Sequence, residues 1–494
     1  MKILRSILEN IDPIFVEGNL DISITGIAYD SRNVLPGNLF VCIEGFNTDG
    51  HKYIAQALEN GATALIVQKE VLYPVQVTLV RVSDSRLALA QVSAAFYDFP
   101  AEKLNILGVT GTNGKTTITY LLSAVLRHIG KKTGLIGTIH NLIGDEVVAT
   151  ARTTPESNDL QALFAQMGDA GVSDVIMEVS SHALTLERVA LVRFKGAIFT
   201  NLTQDHLDFH KTMDNYFDAK IKMFTLYHHM KRINVINADD TYGQRLLKLA
   251  VGKTVSYGIK NSTADFKAAD IKLMPNGISY TLVFGQKRID LVLKLLGEFN
   301  VYNSLAVAAY AISAGIDHEI VKKALETAGV VPGRFEIVDA GQPFAVAVDY
   351  AHTPDGLENI LTSARKFVAG RIITVFGCGG DRDRTKRPKM GAIAARLSDR
   401  VYVTSDNPRT EEPQEIIDNI LEGISEDRTS ISVMVDRRMA IASALIEAKP
   451  NDIVIIAGKG HEDYQVLKNK TIHFDDREEA RRVLQEMGYE NTTV

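Results

Sequence analysis

The segment from Asn105 to Thr117, NILGVTGTNGKTT, constrains this chain more than any other. An apolar run from Asn105 to Thr110 enters Gly111-Thr112-Asn113-Gly114-Lys115-Thr116-Thr117, and the helical pattern ITYLLSAVLRHIG follows. Strand, glycine turn and helix in that order make a phosphate loop. Glycines let backbone N–H groups approach an anion closely, and the helix N-terminus favours negative charge. Lys115 then reaches the β- and γ-phosphates, and Thr116 supplies an oxygen to Mg²⁺. A strict pattern requires glycine five positions before Gly114, where Val109 stands; the glycines are Gly108 and Gly111, so the loop is a variant. The motif predicts an α/β fold with a mostly parallel sheet and a nucleoside triphosphate as ligand.

With 494 residues and about 150 per domain, the chain predicts roughly three domains. Residues 1–98 alternate short apolar strands with one helix-like segment, YIAQALENGA, and read as a small α/β domain. The pattern restarts near Phe99-Pro100, giving a central domain over 99–332 with further strands at 175–180 and 196–201 and helices over Val301–Ala314 and Glu319–Ala328. A second boundary at Val331-Pro332-Gly333 opens a third domain, 333–494. There PFAVAVDYAH, RIITVFGCGG, RVYVTSDNP and DIVIIAGKG are four apolar runs with polar or glycine-rich endings. In a doubly wound sheet such endings converge on a ligand.

Charge excludes several function classes. The net charge of −6 leaves no global basic field for nucleic acid or an anionic membrane, so anions must be bound locally. Arg382, Arg384, Lys386, Arg387 and Lys389 are interleaved with Asp381 and Asp383 and lack aromatics, which indicates a local anion site. Two cysteines, Cys42 and Cys378, fit a reducing compartment, with Cys378 expected to be structural. Acidic Glu9 and Asp12 interrupt any signal-like segment, and no run approaches about 18 apolar residues, so a cytoplasmic chain without a membrane span is expected.

Glu178 ends one apolar strand, and Asp205-His206-Leu207-Asp208 follows another. A carboxylate and an imidazole at neighbouring strand ends suit Mg²⁺ on a triphosphate, although Mg²⁺ prefers oxygen. By pattern alone His206 is equally a loop histidine held by local hydrogen bonds. Lys220, in YFDAKIKMF, reads as a solvated or i,i+4-paired lysine.

Taken together, DSR at Asp30 to Arg32, GTNGKTT, TTP at Thr153 to Pro155, MEVSSHAL from Met177, NLTQDHLDFH from Asn201, Ala219-Lys220, GEFNVYN from Gly297, PGRFE from Pro332, DYAHTPD from Asp349, GCGGDRDRTKRP from Gly377, DNPR from Asp406 and GKGHEDYQ from Gly458 resemble the Mur ligase superfamily, most nearly its tripeptide-forming (MurE-type) branch. The resemblance implies three α/β domains: a small UDP-binding one, a central P-loop ATPase-like parallel sheet, and a Rossmann-like amino-acid-binding one. It implies Mg²⁺ held by Thr116, Glu178, His206 and Lys220, with Lys220 carbamylated to N6-carboxylysine, which turns a cation into an oxygen ligand. Lys115, Glu178, His206 and Lys220 are the implied catalytic set. Asn300, Asn303, Arg334, Asp349 and His352 complete the implied ATP site with the glycine loop. Ser31 and the Phe46-Asn47-Thr48 loop match UDP-sugar contacts, and Thr153, Thr154, Ser180 and Arg188 match contacts to the nucleotide-linked dipeptide. Hydroxyl residues of this kind also serve as helix caps and turn formers.

The implied reaction is ATP-dependent amide formation through an acyl phosphate, joining UDP-MurNAc-L-Ala-D-Glu to a diamino acid, by a monomer. Asp406-Asn407-Pro408-Arg409 bears on which one. Pro408 restricts the backbone, and the Arg409 fork recognises a carboxylate bidentately. Meso-diaminopimelate carries a distal carboxylate that L-lysine lacks, so Arg409 favours diaminopimelate over the lysine-adding alternative. In the resembling family DNPR is the diaminopimelate signature, with Arg382, Gly458 and Glu462 as further contacts and Glu462 toward the distal ammonium. A P-loop phosphotransferase, a nucleotide-hydrolysing switch, a folylpolyglutamate synthetase and a non-catalytic UDP-sugar binder are the other readings.

Overall fold

The computed structural model describes residues 1–45, 48–73, 76–150, 152–425 and 430–489. Among the described residues three large sheets follow one another along the chain, beside two two-stranded ones. The first has five strands in the order Phe15–Glu17, Thr78–Arg81, Ala64–Val67, Asn38–Val41 and Gly26–Ala28, parallel except for Phe15–Glu17. The sequence reading expects one helix here. The structure adds Ser85–Phe96, started by Asp84, whose carboxylate accepts the Arg86 and Leu87 N–H groups. Its apolar face is largely alanine, so its periodicity is muted in the sequence, yet Ala88, Leu89, Val92 and Ala95 pack into the sheet core.

The central sheet has eleven strands. At its heart β1 (Asn105–Thr110) lies between β2 (Asp174–Glu178) and β3 (Phe194–Phe199), all parallel. From β1 the chain enters α1 (Lys115–His128), which buries Ile118, Leu121, Leu122 and Val125 at helical spacing. Full burial of each such side chain stabilises by about 1.5–3 kcal/mol. A meander of three antiparallel strands, Phe266–Met274, Gly277–Phe284 and Lys287–Leu293, extends one edge. The sequence reading does not single it out. α2 (Met213–Thr225) covers one face of this sheet, and α3 (Phe299–Ser313) packs on α1 across the other.

In the third sheet four successive apolar runs become adjacent parallel strands: β4 (Ala345–Asp349), β5 (Ile372–Phe376), β6 (Arg400–Thr404) and β7 (Ile453–Ala457), in the spatial order β4, β7, β5, β6. All their carboxyl ends fall on one edge, as their polar endings predict. Between β5 and β6 runs α4 (Lys386–Leu397), and α5 (Arg437–Glu447) precedes β7, with α6 (Asp476–Glu486) closing the layer.

Candidate active site

The phosphate loop forms as its residues require. Gly114 has φ +88°, and a Cβ there would run into Asn303 Oδ1. Glycine thus serves both the left-handed turn and the approach of α3. Thr200 Oγ1 donates to the Asn113 carbonyl (2.6 Å), and Asn113 N–H donates to Asn201 Oδ1 (2.9 Å). The Lys115 ammonium donates to the Gly111 and Thr112 carbonyls (3.0 and 2.8 Å). Asn300 does not face the nucleotide cavity. It donates to the Leu296 carbonyl and accepts from Asn303 Nδ2 (2.8 Å), thereby aiming Asn303. Arg334 Nη2 donates to Thr116 Oγ1 (2.8 Å), and its guanidinium lies 4.7 Å over the Tyr350 ring. Asp349 accepts the Phe335 N–H (2.6 Å), and burial pushes its carboxyl up to about 6.

Asn113, Gly114, Thr117, Asn303, Arg334 and Asp349 line one cavity of about 340 Å³. Tyr302 and Asp239, joined at 2.8 Å, lie on its wall with Tyr350, Asp355 and Lys366. None of these five is among the sequence candidates, although Tyr302 falls inside GEFNVYN and Tyr350 and Asp355 inside DYAHTPD. Gly111, Thr112, Lys115, Thr116 and His352 stand beside that cavity or behind it.

A second cavity, of about 800 Å³, spans the central and third layers. Thr153, Asp205 and His206 from the central layer face Arg382, Asp406, Asn407, Arg409, Gly458 and Glu462 from the third. Arg409 has φ +53° and donates Nη1 to the Gly380 carbonyl (2.9 Å), which fixes one edge of the fork. Asn407 Nδ2 donates to Glu462 Oε2 (2.8 Å), and the Asn407 side-chain oxygen accepts the Val466 N–H (2.8 Å). Pro408 is buried, and its carbonyl faces Gly380, where a Cβ would collide. At Gly458 a Cβ would come 2.6 Å from Asp406 Oδ2. Lys459, fully buried, donates to Glu462 Oε2 (3.1 Å). Burial, then the Asp406 charge, raise the Glu462 carboxyl. Lys459 escapes sequence reasoning because a lysine in a glycine-rich loop ordinarily reads as solvated.

The expected basic anion site is smaller than its five charges suggest. Arg384 and Arg387 both bind Glu411, at 2.9 Å each, and Lys389 donates to Gln204. Arg382 turns Nη1 to the Asp381 carbonyl (3.0 Å). Cys378 is structural as expected, with Sγ against Met390 Sδ and its thiol pushed up to about 12 by burial; neither cysteine is bonded to the other.

Ser31 donates to Gln56 Oε1 (2.7 Å) on the wall of a third cavity, about 550 Å³, in the first layer, which Thr48 also lines. Phe46 and Asn47 lie outside the described residues. Thr153 Oγ1 meets Thr138 Oγ1 at 3.1 Å. Thr154 donates to the Glu178 carbonyl (2.9 Å), and Ser180 caps the helix Ser181–Thr185 by accepting the Ala183 N–H. Only Ser180 among these hydroxyls carries the capping duty open to such residues; the others make contacts between segments. Arg188 donates Nη1 to the Thr154 carbonyl (3.1 Å) and Nε to Glu156. Arg86 and Arg152 also approach the buried Glu156, at 3.5 and 3.6 Å. Glu156 was not among the sequence candidates, although it directly follows the TTP motif.

The Mg²⁺ candidates are near one another without forming a closed cage. Glu178 accepts the Thr138 N–H and hydroxyl (2.9 and 3.0 Å). His206 stands 3.4 Å from Asp205, and burial holds its imidazole well below the usual histidine range. Among the described residues no group of three or more His, Cys, Asp or Glu side chains is placed to hold a metal. That donor set fits a Mg²⁺ drawing most of its oxygens from phosphates and water, the ion's usual habit. Lys220 is 1% exposed and donates to the Gly111 carbonyl (2.9 Å). Burial, then the charge of Lys115, lower its ammonium far below the usual lysine value. It is thus neither solvated nor paired at i,i+4.

The comparisons agree with this geometry. Residues 23–97 match the Mur ligase family catalytic domain, residues 109–311 the Mur ligase middle domain, and residues 333–460 the Mur ligase glutamate ligase domain. A protein of Clostridium botulinum (strain ATCC 19397 / Type A), named UDP-N-acetylmuramoyl-L-alanyl-D-glutamate--2,6-diaminopimelate ligase, is 48% identical over 489 residues, covering 98% of this chain and 100% of that one. The chain belongs to the Mur ligase family. A like-named protein of Clostridioides difficile (strain 630) is 47% identical over 98% of this Mur ligase and 100% of its own length. A solved structure of a UDP-N-acetylmuramoyl-L-alanyl-D-glutamate--2,6-diaminopimelate ligase aligns with TM-score 0.69 at 30% identity, covering 99% and 100% of the two chains. A folylpolyglutamate synthase of Mycobacterium tuberculosis shares the fold, with TM-score 0.63 at 17% identity over 75% of this chain and 92% of that one. Among the described residues no helix is long and apolar enough to cross a membrane.

Proposed function

We propose that this Mur ligase adds meso-2,6-diaminopimelate to UDP-N-acetylmuramoyl-L-alanyl-D-glutamate at the expense of ATP, in the cytoplasm, as a step of peptidoglycan assembly. Full-length relatives at 46–48% identity bear that activity in their names. The observation that carries the substrate is the third-layer wall of the 800 Å³ cavity, where Arg382 and Arg409 stand with Asn407 and Glu462. Two guanidinium groups suit the carboxylates of a diacid, and a carboxylate suits its free ammonium. L-lysine would leave Arg409 facing nothing.

The chemistry has two displacements. An oxygen of the D-Glu γ-carboxylate attacks the γ-phosphorus of ATP, the bond to the β-phosphate oxygen breaks, and ADP leaves an acyl phosphate. The diaminopimelate amine attacks the acyl carbon, loses a proton, and the tetrahedral intermediate expels inorganic phosphate. Phosphoryl transfer of this kind is mostly positioning and electrostatics. Lys115, the loop N–H groups and Arg334 neutralise the phosphate charge. Arg188 and Thr153 orient the acceptor peptide, and Ser31 serves its UDP end. Mg²⁺, when bound by Thr116, Glu178, His206 and carbamylated Lys220, supplies further charge neutralisation. Lys220 is suited to carbamylation because burial and the charge of Lys115 favour its neutral amine. One chain carries residues for all three substrates, which supports a monomer with the boundaries 1–98, 99–332 and 333–494.

The test is a comparison of meso-diaminopimelate with L-lysine, each given with the same UDP-dipeptide and ATP. Tripeptide and phosphate should appear with the diacid and drop by orders of magnitude with lysine. Equal coupling would defeat the substrate assignment.

A further inference from the structure

Lys386 opens α4 and is 6% exposed, yet its ammonium makes no hydrogen bond and no ion pair within 4.0 Å among the described residues. It lines the 800 Å³ cavity with Asp205, His206, His352 and Tyr350, the last of which also lines the 340 Å³ cavity. Asp205 and His352 both feel its charge. An ammonium that lines a cavity without a hydrogen bond of its own is a ready point charge for an anion that enters it. The first turn of α4 is also uncapped. The side chain of its N-cap residue, Thr385, donates instead to Asp383 Oδ1 (2.6 Å) and accepts from Gln204 Nε2 (3.1 Å). The turn itself offers few donors, since the Arg387 N–H is given to the Arg384 carbonyl (3.1 Å) and Pro388 has none, so the anion-binding group here is the Lys386 ammonium. Gln204 directly precedes Asp205, so the same bond presents Lys386 to the loop that carries His206.

We propose that the Lys386 ammonium binds the phosphoryl group in transfer and then the phosphate released. This rests on the ligase reading above. The third layer would then contribute to both half-reactions, holding the amino acid with its arginine forks and the phosphate with a point charge. Lysine suits the spherical phosphate charge where arginine suits a planar carboxylate.

The test uses K386M, K386Q and K386R in the full chain. K386M and K386Q should lower kcat by about 10²–10³-fold, the usual loss on removing one donor from a developing oxyanion. Their KM for diaminopimelate and affinity for ADP should stay within about threefold, while inhibition by ADP with fluoroaluminate, which mimics the phosphoryl in flight, is lost. K386R should retain part of both. Should the neutral variants melt early, the wild-type chain answers: ADP with fluoroaluminate shields Lys386 from an amine-acylating label, and diaminopimelate alone does not. The proposal is overturned by neutral variants that keep fluoroaluminate inhibition, by a raised diaminopimelate KM at intact kcat, or by shielding with diaminopimelate alone. A wild-type chain that makes no tripeptide would defeat the proposed function instead.

Discussion

At the scale of single residues, function follows from which polar atoms the fold leaves free. Arg409 has spent one nitrogen on the Gly380 carbonyl and keeps the rest of its fork toward the cavity. Removing it deletes a charge-assisted bond of about 1.5–3 kcal/mol. R409A is therefore expected to raise the diaminopimelate KM roughly 10–100-fold, with the UDP-dipeptide KM unchanged; steady-state kinetics with each substrate varied in turn would show it, and unaltered values would remove Arg409 from the pocket. Glu156 acts one step further back. It is buried and holds Arg188 by Nε, so E156Q should loosen that guanidinium and raise the UDP-dipeptide KM about tenfold while kcat falls less. If KM stays put and kcat alone drops, Glu156 does not work through Arg188. DNPR was legible because Pro408 and Arg409 adjoin in the chain. Glu156 is not marked in the sequence, and Lys386 is marked only as one charge of a basic run, because their significance lies in partners, or the lack of them, contributed by distant segments.

At the scale of elements, the third sheet shows how the loops are held. Arg437 begins α5 and Asp476 begins α6, and the two meet in a bidentate pair at 2.7 Å with both side chains 0% exposed. The same guanidinium donates to the carbonyls of Ala457 and Ser405, where β7 and β6 end (3.0 and 3.4 Å). Those ends deliver Gly458 and Asp406 to the cavity. Breaking a buried pair by removing one partner costs about 3–5 kcal/mol, since the other charge stays buried. D476N should lower the unfolding free energy by that amount in a denaturant titration. A loss below about 1 kcal/mol would mean that the pair contributes little. Strands that end in glycine or polar residues announced this sheet, because a parallel strand buried on both faces must be continuously apolar. The pair itself carries no local signal: both residues sit in charged helical stretches that read as solvated.

Across the whole molecule, the central and third layers meet through an apolar contact, Leu296 and Phe299 against Phe335, and through polar bonds. Asn113 donates to Asp355 (2.6 Å), Arg334 to Thr116, and Gln204 to Thr385. The cavity between them is walled by imidazoles that burial keeps neutral: His352 is pushed down to about 4 and His461 to about 3. Above pH 6.5 these groups are neutral in both folded and unfolded chains and cost nothing. As pH falls below 6.5 the unfolded imidazoles take up protons that the folded ones refuse, so stability is lost from 6.5 down toward 4. Asp349, raised to about 6, works the other way, gaining its proton in the folded chain between about 6 and 4. His206 and His210 are held low in the same way, while burial raises Glu462, Asp355, Asp240 and Asp159 as it does Asp349, so the histidine uptake on unfolding is partly offset near pH 5. H461Q should make the Tm less sensitive to acid between pH 7 and 5 than the parent's, by deleting one of the histidine contributions. A variant that melts in parallel with the parent across this range would show that His461 is free to protonate in the folded chain, and that the cavity is more open to water than its walls imply.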